Sequence, residues 1–261
     1  MRLELLYNPR MLCERLAEIS LSARRIAKLR GTVASNLKSG HIDSLELLEL
    51  LSVNPPAVIY DIGANVGTWT LLAKAVFPLS EIHAFEPLPG HVKQFNQSTE
   101  RIDRIVLHEI GLGSNTGSAV MNVTDFSDAS SFLPLSDSGR RHWDLGNVSE
   151  TSVPIHRLDD WILAHGLPNP NLIKLDVQGF ELEVLKGATN ALARSSAVLT
   201  EVSFFEIYEG QCLFHEVTRF LSDSGFHLVA LGCGGNVPVP LLQTEALFLS
   251  RDLAKQLYNK S

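Results

Sequence analysis

Apolar residues in the first forty positions recur at the spacing of one helical face. They are Leu12, Leu16, Ile19, Ala23 and Ile26, which follow one another at intervals of three or four residues. This period predicts an amphipathic helix. Asp43 and Glu46 then have the spacing of a capping box that opens a second helix, which Asn54-Pro55-Pro56 would end. We therefore expect residues 1–55 to form an N-terminal helical extension.

From residue 56 onward, short apolar runs alternate with helical patterns. The predicted strands cover residues 57–62, 81–87, 104–110, 171–177 and 197–204, followed by two closing strands with the sequences FHLVAL and LLQTEALFL. The predicted helices cover residues 68–77, 158–164, 181–192 and 214–225. Residues 118–123 add an antiparallel strand, and the stretch 124–151, rich in Ser, Asp and Gly, is interpreted as a long loop. This alternation predicts an α/β domain over residues 56–261 with a mostly parallel sheet.

Charge and cysteine content narrow the class of protein. The 261 residues carry a formal net charge of −7, but residues 1–40 hold eight basic and three acidic side chains, so the remainder is strongly acidic. Acidity argues against non-specific nucleic-acid binding. Cys13, Cys212 and Cys233 are too far apart for a disulfide framework or a zinc site, which fits a reducing compartment. The sequence shows neither an export signal nor an apolar run of the roughly 18 residues that spans a membrane, so we expect a cytoplasmic protein.

The strongest local motif follows the first strand and reads Asp-Ile-Gly-Ala-Asn-Val-Gly. Gly63 and Gly67, with Asn65 between them, predict a tight turn into a helix, and α/β sheets bind ligands at such strand ends. A dinucleotide site has the pattern G-x-G-x-x-G and binds a pyrophosphate at the helix N-terminus. Here Asp61 precedes the first glycine, and its carboxylate would repel a pyrophosphate but suit a cationic amino-acid group, as in S-adenosylmethionine. An ordinary structural turn is the alternative.

An acidic residue follows the second strand at the spacing of a ribose ligand. Glu86 lies 25 residues after Asp61, and an acid at this place accepts hydrogen bonds from ribose hydroxyls. Ribose also occurs in NAD, so Glu86 alone does not decide the cofactor, and a surface acid before Pro87 is the alternative. Together the two motifs predict a cofactor site formed by Asp61, Gly63, Asn65, Gly67 and Glu86.

Two further acids are predicted to face the same cleft. Asp176 lies near the end of a predicted central strand, and Glu201 places a charge inside an otherwise apolar strand. Buried acids are rarely tolerated without a partner or a function. Gln178 and Glu181 open the helix that follows Asp176, where a helix cap is the alternative to a site residue.

The motifs in this order resemble the FkbM family of S-adenosylmethionine-dependent methyltransferases. The resemblance covers roughly residues 56–249 and rests on DIGANVGTWT, AFEP, VPIHRLDD, IKLDVQGFELEVLKGA, TEVSF with YEGQ, and QTEALF. It implies a class I methyltransferase (Rossmann-like) fold, with seven strands in the order 3-2-1-4-5-7-6 and the last one antiparallel. It also implies methylation of a hydroxyl oxygen on a sugar, glycan or polyketide-like small molecule. The chain departs from the family pattern at His156-Arg157, where two threonines are frequent, and at Gln178, where glutamate is frequent.

Within that resemblance, methyl transfer is an in-line displacement that requires alignment of the donor, the methyl group and an acceptor oxygen. A hydroxyl is a weak nucleophile until a base removes its proton. We expect Asp176, Glu201 and His156 to be the catalytic candidates, and His215 is a further titratable candidate. A divalent cation that acidifies the hydroxyl is the alternative route. Metal-free base catalysis is favoured, and no metal ligand is assigned.

Loop residues are the candidates for acceptor binding. Tyr208 and Gln211 follow the fifth strand of the predicted core and are placed to contact an acceptor. Trp143, together with Phe132, could form a lid from the 124–151 segment, because loops carry specificity on such scaffolds. Packing within the loops is the alternative for each of these residues.

The residues alone leave two other functions open. A NAD-dependent oxidoreductase would use the glycine turn, although Asp61 and the missing third glycine count against it. A non-catalytic module would keep the fold and bind a partner through residues 1–52. That segment is also a candidate for homodimerisation, for docking an acidic carrier domain or for capping the substrate cleft. A solvated amphipathic helix packed on the domain is the favoured alternative. For the enzyme, the predicted partner is a small-molecule or glycan acceptor, with no nucleic acid and no membrane span.

Overall fold

The structure is a computed structural model that describes residues 9–124, 127–143, 148–232 and 241–259. Within these ranges the strands, in chain order, are β1 (Val58–Ile62), β2 (Glu81–Phe85), β3 (Ile105–His108), β4 (Gly111–Leu112), β5 (Gly117–Thr124), β6 (Val148–His156), β7 (Leu172–Leu175), β8 (Ala197–Ser203), β9 (Phe226–Leu231) and β10 (Gln243–Ser250). The helices are α1 (Pro9–Leu29), α2 (Leu45–Leu50), α3 (Thr68–Val76), α4 (Pro89–Thr99), α5 (Asp137–Trp143), α6 (Leu158–His165), α7 (Glu181–Lys186), α8 (Thr189–Leu192), α9 (Phe214–Asp223) and α10 (Arg251–Tyr258).

Seven strands form the main sheet, in the order β3-β2-β1-β7-β8-β10-β9. Strand β10 runs antiparallel to both of its neighbours, and the other pairings are parallel. A separate three-stranded sheet has the order β4-β6-β5. When its strands are left out of the count, the main sheet has the order 3-2-1-4-5-7-6. The predicted class I methyltransferase topology is therefore confirmed.

The structure corrects two of the predicted elements. Residues 124–151 are not one long loop, because α5 forms there and β6 begins at Val148 to pair with β5. The helix predicted over residues 181–192 is divided into α7 and α8 near Gly187. At this break the Gly187 carbonyl oxygen accepts a hydrogen bond from the Asp159 backbone N–H at 3.0 Å. The N–H of Ala191, which would be its partner in a continuous helix, donates to the Asp159 carboxylate at 2.9 Å.

Helix α1 attaches to the rest of the chain through ion pairs. The buried Arg25 guanidinium lies 2.5 Å from an Asp43 oxygen and 2.7 Å from a Glu46 oxygen. The predicted capping box between these two acids is therefore wrong, because the guanidinium binds both carboxylates and α2 has no side-chain cap. Leu16 and Ile19 of the predicted apolar stripe are 56% and 55% exposed, so this part of the stripe faces away from the domain.

Helices cover both faces of the main sheet. Helices α2, α3 and α10 pack on one face, and α6, α7, α8 and α9 pack on the other. Ile42 and Leu48, which precede the predicted boundary at residue 55, are completely buried in the first of these cores. The segment before β1 and the sheet therefore share one core. Among the described residues, no helix combines the length and the apolarity that a membrane crossing requires.

Candidate active site

A cavity of about 350 Å³ opens along the edge of the main sheet where the parallel strands end. Its wall contains residues that directly follow β2, β1 and β7, a residue within β8, and residues at the start of the antiparallel β10. The strand order therefore arranges these side chains along the cavity, from Glu86 at one end to Glu245 at the other. This is the edge at which open α/β sheets bind ligands.

The turn after β1 brings backbone atoms to the cavity wall. Gly63 has a φ of +78°, and a Cβ there would lie 2.0 Å from the carbonyl oxygen of Asp176. Only glycine therefore fits between the ends of β1 and β7. Gly67, with a φ of +90°, starts α3 behind this turn and lies outside the cavity wall that the described residues form.

Glu86 and Asn65 form one end of the cavity. The buried Glu86 carboxylate accepts hydrogen bonds from the backbone N–H groups of Asn65 (3.0 Å) and Leu88 (2.9 Å). The Asn65 amide donates to Asp128 at 2.8 Å, while its buried Oδ1 has no hydrogen-bond partner among the described residues. A fixed carboxylate and a free amide oxygen at this end can accept hydrogen bonds from a bound ligand.

Asp61 lies beneath the cavity rather than in its wall. Its fully buried carboxylate accepts a hydrogen bond from the Thr70 hydroxyl at 2.5 Å, and the Lys174 ammonium lies 3.4 Å away. Burial raises the pKa of Asp61 above its ordinary value, although Lys174 opposes that shift. In this structure the positive partner of Asp61 is therefore Lys174, which itself lines the cavity.

Lys174 is a site residue that was not predicted from the sequence. Its buried ammonium lies 3.4 Å from Asp61 and 3.5 Å from Asp176. Burial acts to lower the pKa of Lys174, but nearby carboxylates, first Asp176 and then Asp61, outweigh this effect and raise the pKa. The sequence contains a signal for Lys174, because a charged residue inside the apolar run Leu-Ile-Lys-Leu is as unusual as Glu201 inside its apolar strand.

Two carboxylates, Asp176 and Glu201, meet in the middle of the cavity. The Asp176 side chain follows β7 and is 40% exposed, and Glu201 lines the same space from β8. The Gln178 amide donates to Asp176 at 2.7 Å and to Glu201 at 3.3 Å, and so bridges the two side chains. Gln243, at the start of β10, donates to the other oxygen of Glu201 at 2.5 Å. Desolvation and the nearby carboxylates raise the pKa of Glu201 well above its ordinary value.

The far end of the cavity joins the segment before α2 to β10. The Ser44 hydroxyl donates to Glu245 at 2.5 Å and accepts a hydrogen bond from the Trp69 indole at 3.1 Å. Desolvation raises the pKa of Glu245 to about 7. His41 and Asp43 line the same end. The sequence did not indicate that these residues share one wall, because the contact between Ser44 and Glu245 joins positions 201 residues apart.

The two histidines considered for catalysis lie away from this cavity. His156 ends β6, and its ring packs against Trp161 with 4.8 Å between the ring centroids. His215 is exposed on α9. Neither side chain belongs to the wall that the described residues form, so the geometry gives the catalytic prediction for His156 no support.

The predicted acceptor residues occupy different positions. Tyr208 is buried behind the cavity, where its hydroxyl donates to Gln178 at 2.9 Å. Gln211 is also buried, and its Oε1 accepts hydrogen bonds from two backbone N–H groups of its own loop, at 2.6 and 2.7 Å. Phe132 lines the cavity. Trp143 is the last residue of α5, and its side chain lies outside the part of the chain that the structure describes.

The sequence matches a known family over most of its length. The family model described as the methyltransferase FkbM domain matches residues 61–228, which is more than half of the chain. The chain belongs to the FkbM methyltransferase family. The predicted resemblance is thereby confirmed, and the protein is a methyltransferase rather than a nicotinamide-dependent oxidoreductase.

Three named methyltransferases are similar in sequence to this FkbM methyltransferase. The 2-O-methyltransferase NoeI of Sinorhizobium fredii is 30% identical over 207 residues, which cover 73% of this chain and 79% of NoeI. The hexuronic acid methyltransferase AglP of Haloferax volcanii is 31% identical over 164 residues, which cover 62% of each chain. The 31-O-demethyl-FK506 methyltransferase FkbM of Streptomyces tacrolimicus is 28% identical over 208 residues, which cover 69% of this chain and 76% of that protein. Each named activity belongs to the relative.

An FkbM methyltransferase implies S-adenosylmethionine as the methyl donor, and the cavity offers groups that fit it. The turn brings the backbone of Gly63 to the cavity wall, and Asn65 Oδ1 is a buried acceptor without a partner among the described residues. Glu86 places a fixed carboxylate at the end of β2, where ribose hydroxyls need acceptors. Within the described ranges, no group of three or more His, Cys, Asp or Glu side chains is placed to hold a metal ion.

Proposed function

We propose that this FkbM methyltransferase is an S-adenosylmethionine-dependent O-methyltransferase. Its acceptor would be a hydroxyl group of a sugar, a glycan or a polyketide-like small molecule. The names of two relatives support an oxygen acceptor, since NoeI is a 2-O-methyltransferase and FkbM is a 31-O-demethyl-FK506 methyltransferase.

The observation that carries the proposal is the pair of carboxylates in the middle of the cavity. Asp176 adjoins the glycine turn so closely that a Cβ at Gly63 would collide with its backbone. A hydroxyl bound beside Asp176 and Glu201 would therefore also lie beside the donor end. A hydroxyl is a poor nucleophile until its proton is removed, so a carboxylate within reach of it would act as the general base.

In the proposed mechanism, some residues of the cavity bind the methyl donor and others are candidate bases. The bound donor supplies an electrophilic methyl group. The residues that would bind and orient it are Gly63, Asn65 and Glu86. Asp176 takes the hydroxyl proton as the acceptor oxygen attacks, because its side chain reaches the cavity. Lys174, 3.5 Å away, stabilises the carboxylate before it accepts that proton. Glu201 is the second candidate base, and its raised pKa lets it receive a proton at a higher pH than an ordinary glutamate does.

The segment before β1 is proposed to contribute to acceptor binding. His41, Asp43 and Ser44 line the end of the cavity opposite Glu86, beyond the carboxylate pair. A polar wall of this kind can bind the hydroxyl groups of an acceptor. Homodimerisation or carrier docking through residues 1–52 stays a prediction, as does the cytoplasmic location.

Calorimetric titration with S-adenosylhomocysteine, and separately with NAD, tests the donor site first. We expect a dissociation constant in the micromolar range for the former and no binding of the latter. Transfer of a labelled methyl group to a panel of sugars and polyketide alcohols then tests the acceptor class. An O-methyl ether identified by NMR supports the proposal, whereas methylation at nitrogen or carbon contradicts it.

Asp176→Asn tests the proposed base directly. We expect a loss of turnover of roughly 100-fold or more, with little change in S-adenosylhomocysteine affinity, because the amide cannot take the proton. Asp103→Asn changes an exposed acid outside the cavity and is the matched control. Full activity of Asp176→Asn would place the base elsewhere.

A further inference from the structure

The Gln178 side chain joins three polar groups at the back of the cavity. Its amide nitrogen donates to Asp176 at 2.7 Å and to Glu201 at 3.3 Å, and its amide oxygen accepts from the Tyr208 hydroxyl at 2.9 Å. Each end of the amide thus has a partner of the matching kind. An amide turned by 180° would set its oxygen against the Asp176 carboxylate, so the hydrogen-bond network selects one orientation.

The Tyr208 hydroxyl acts as the donor in this contact. Its neighbours are the amide oxygen of Gln178 and the backbone carbonyl oxygen of Ala129, 3.2 Å away, and both are acceptors. Burial, together with the nearby carboxylates, raises the pKa of Tyr208, so the hydroxyl keeps its proton. A backbone bridge between Leu135 and Tyr208 holds this part of the loop in place.

The backbone of Gln178 is also fixed in an uncommon conformation. Its φ is +53°, a region that few residues other than glycine adopt. The Ser131 hydroxyl donates to the Gln178 carbonyl oxygen at 2.6 Å and so stabilises this arrangement. Conformations of this kind persist where the surroundings hold them, and they cluster at functional sites.

We propose that Gln178 and Tyr208 are positioning residues of the methyltransferase site. Gln178 holds the Asp176 and Glu201 carboxylates side by side at the cavity wall, and Tyr208 acts through Gln178 by fixing the direction in which the amide points. This gives Tyr208 a role behind the cavity rather than in its wall. The assignment rests on the proposed function, because the two carboxylates matter to catalysis only if they act in methyl transfer.

The amide has a predictable effect on the charge of the pair. Each N–H donor favours the ionised form of the carboxylate that it contacts, whereas desolvation and the neighbouring carboxylates favour protonation of Glu201. In the part of the chain that the structure describes, five other charged or titratable groups face the pair: Lys174 of β7, Asp61 beside it on β1, Glu181 of α7, Glu245 of β10 and the Tyr208 hydroxyl. Without the amide donors, the pair therefore binds protons more tightly.

A carboxyl-carbon NMR titration of the S-adenosylhomocysteine-bound protein tests this without an acceptor. Gln178→Glu replaces the donor by a third carboxylate of equal size, and we expect the lower apparent pKa of the Asp176–Glu201 pair to rise by at least one unit, a tenfold gain in proton affinity. Gln178→Met removes the donors without adding charge and gives a smaller rise. Gln94→Glu, on the exposed face of α4, is the matched control and leaves the titration unchanged. An unchanged titration in Gln178→Glu would overturn the proposal.

Tyr208→Phe separates a positioning role from a general structural one. If Tyr208 acts through the amide, its loss raises the pKa of the pair by about half a unit, or threefold, in the natural protein and has no effect in Gln178→Met. An equal shift in both backgrounds refutes the assignment of Tyr208. Tyr258→Phe, on the exposed face of α10, is the control. Thermal melting and S-adenosylhomocysteine affinity identify any variant that fails to fold. If one Gln178 variant fails to fold, the titration of the other still tests the role of Gln178.

The same variants distinguish this inference from the proposed function. If the titrations move as expected while no acceptor is methylated by the natural protein, the positioning role stands and the proposed O-methylation fails. If an acceptor is methylated and Gln178→Glu changes neither the titration nor the pH profile of the rate, the proposed function stands and the positioning role fails.

Discussion

Replacing Gly63 with alanine tests how closely the turn after β1 fits against the end of β7. The added Cβ would lie 2.0 Å from the carbonyl oxygen of Asp176 and 2.9 Å from its carbonyl carbon. Both atoms are backbone at the end of a buried strand, so neither can turn aside as a side chain would. The positive φ of +78° adds a second penalty, because a Cβ disfavours that region.

The two penalties can be estimated separately. A left-handed backbone conformation costs an alanine roughly 1–2 kcal/mol, and overpacking of a close-packed site costs about 1–3 kcal/mol. We therefore expect Gly63→Ala to lower the free energy of unfolding by about 2–5 kcal/mol, a large share of the roughly 5–15 kcal/mol typical of a domain. Relief of the clash must separate β1 from β7 at the donor end, so affinity for S-adenosylhomocysteine falls as well.

Gly210→Ala is the matched control for this experiment. Gly210 has a similar φ of +72°, but a Cβ there would meet no atom within 4 Å, so only the backbone penalty applies. Urea unfolding followed by circular dichroism measures both variants, and calorimetry measures their affinity for S-adenosylhomocysteine. Equal losses of stability in the two variants would refute the reasoning, because the clash with Asp176 would then contribute nothing.

Three further predictions concern charged groups of the cavity. Lys174→Met leaves buried carboxylates without their cation and should lower the free energy of unfolding by about 3–5 kcal/mol. The control Lys186→Met removes a surface ion pair and should lower it by at most about 1 kcal/mol. Equal losses of stability in urea unfolding would contradict this prediction. Because desolvation raises the pKa of Glu245 to about 7, the folded state binds this proton more tightly than the unfolded state, and the resulting stabilisation is complete below about pH 4.5 and lost as the pH rises through 7. Glu245→Gln should therefore have the same urea midpoint as the natural protein at pH 5 and a higher urea midpoint at pH 8. Urea midpoints that change in parallel with pH in the two proteins would contradict this. Glu86→Ala should raise the dissociation constant of S-adenosylhomocysteine at least tenfold, about 1.4 kcal/mol, whereas the exposed Glu100→Ala leaves it unchanged; equal affinities contradict the ribose assignment.

The positions of the strands could be predicted from local patterns, and their order was predicted from the resemblance to the family. Apolar runs that end in glycine or proline marked β1 and β2, and the motifs that follow them fixed the family. The errors came from contacts with distant segments. The break between α7 and α8 depends on Asp159, which replaces the helical hydrogen-bond partners of Gly187 and Ala191. The capping box failed because Arg25 of α1 binds both Asp43 and Glu46. Spacing within one segment carries no information about such partners.

The same distinction separates the site residues that were found from those that were missed. Gly63, Glu86 and Asp176 line the cavity because each follows a buried strand, and the ends of parallel strands meet at one edge. Lys174 was missed although a charge two residues before Asp176 points to the same face of its strand. Ser44 offered no signal at all, because a serine before a leucine-rich helix resembles an ordinary cap.

The two ends of the cavity belong to different parts of the sequence, and only the proposed donor end lies within the residues that match the family model. Glu86 and Gly63, at the proposed donor end, lie inside the matched residues 61–228, whereas Ser44 and Glu245 lie outside them. The chemistry of the methyl donor can therefore be inferred from the family. The relatives support a hydroxyl acceptor, but the wall beyond the carboxylate pair comes from segments that the family model does not match. Within the proposed class of sugars, glycans and polyketide-like molecules, a search for the acceptor should therefore start from the groups that Ser44 and Glu245 present.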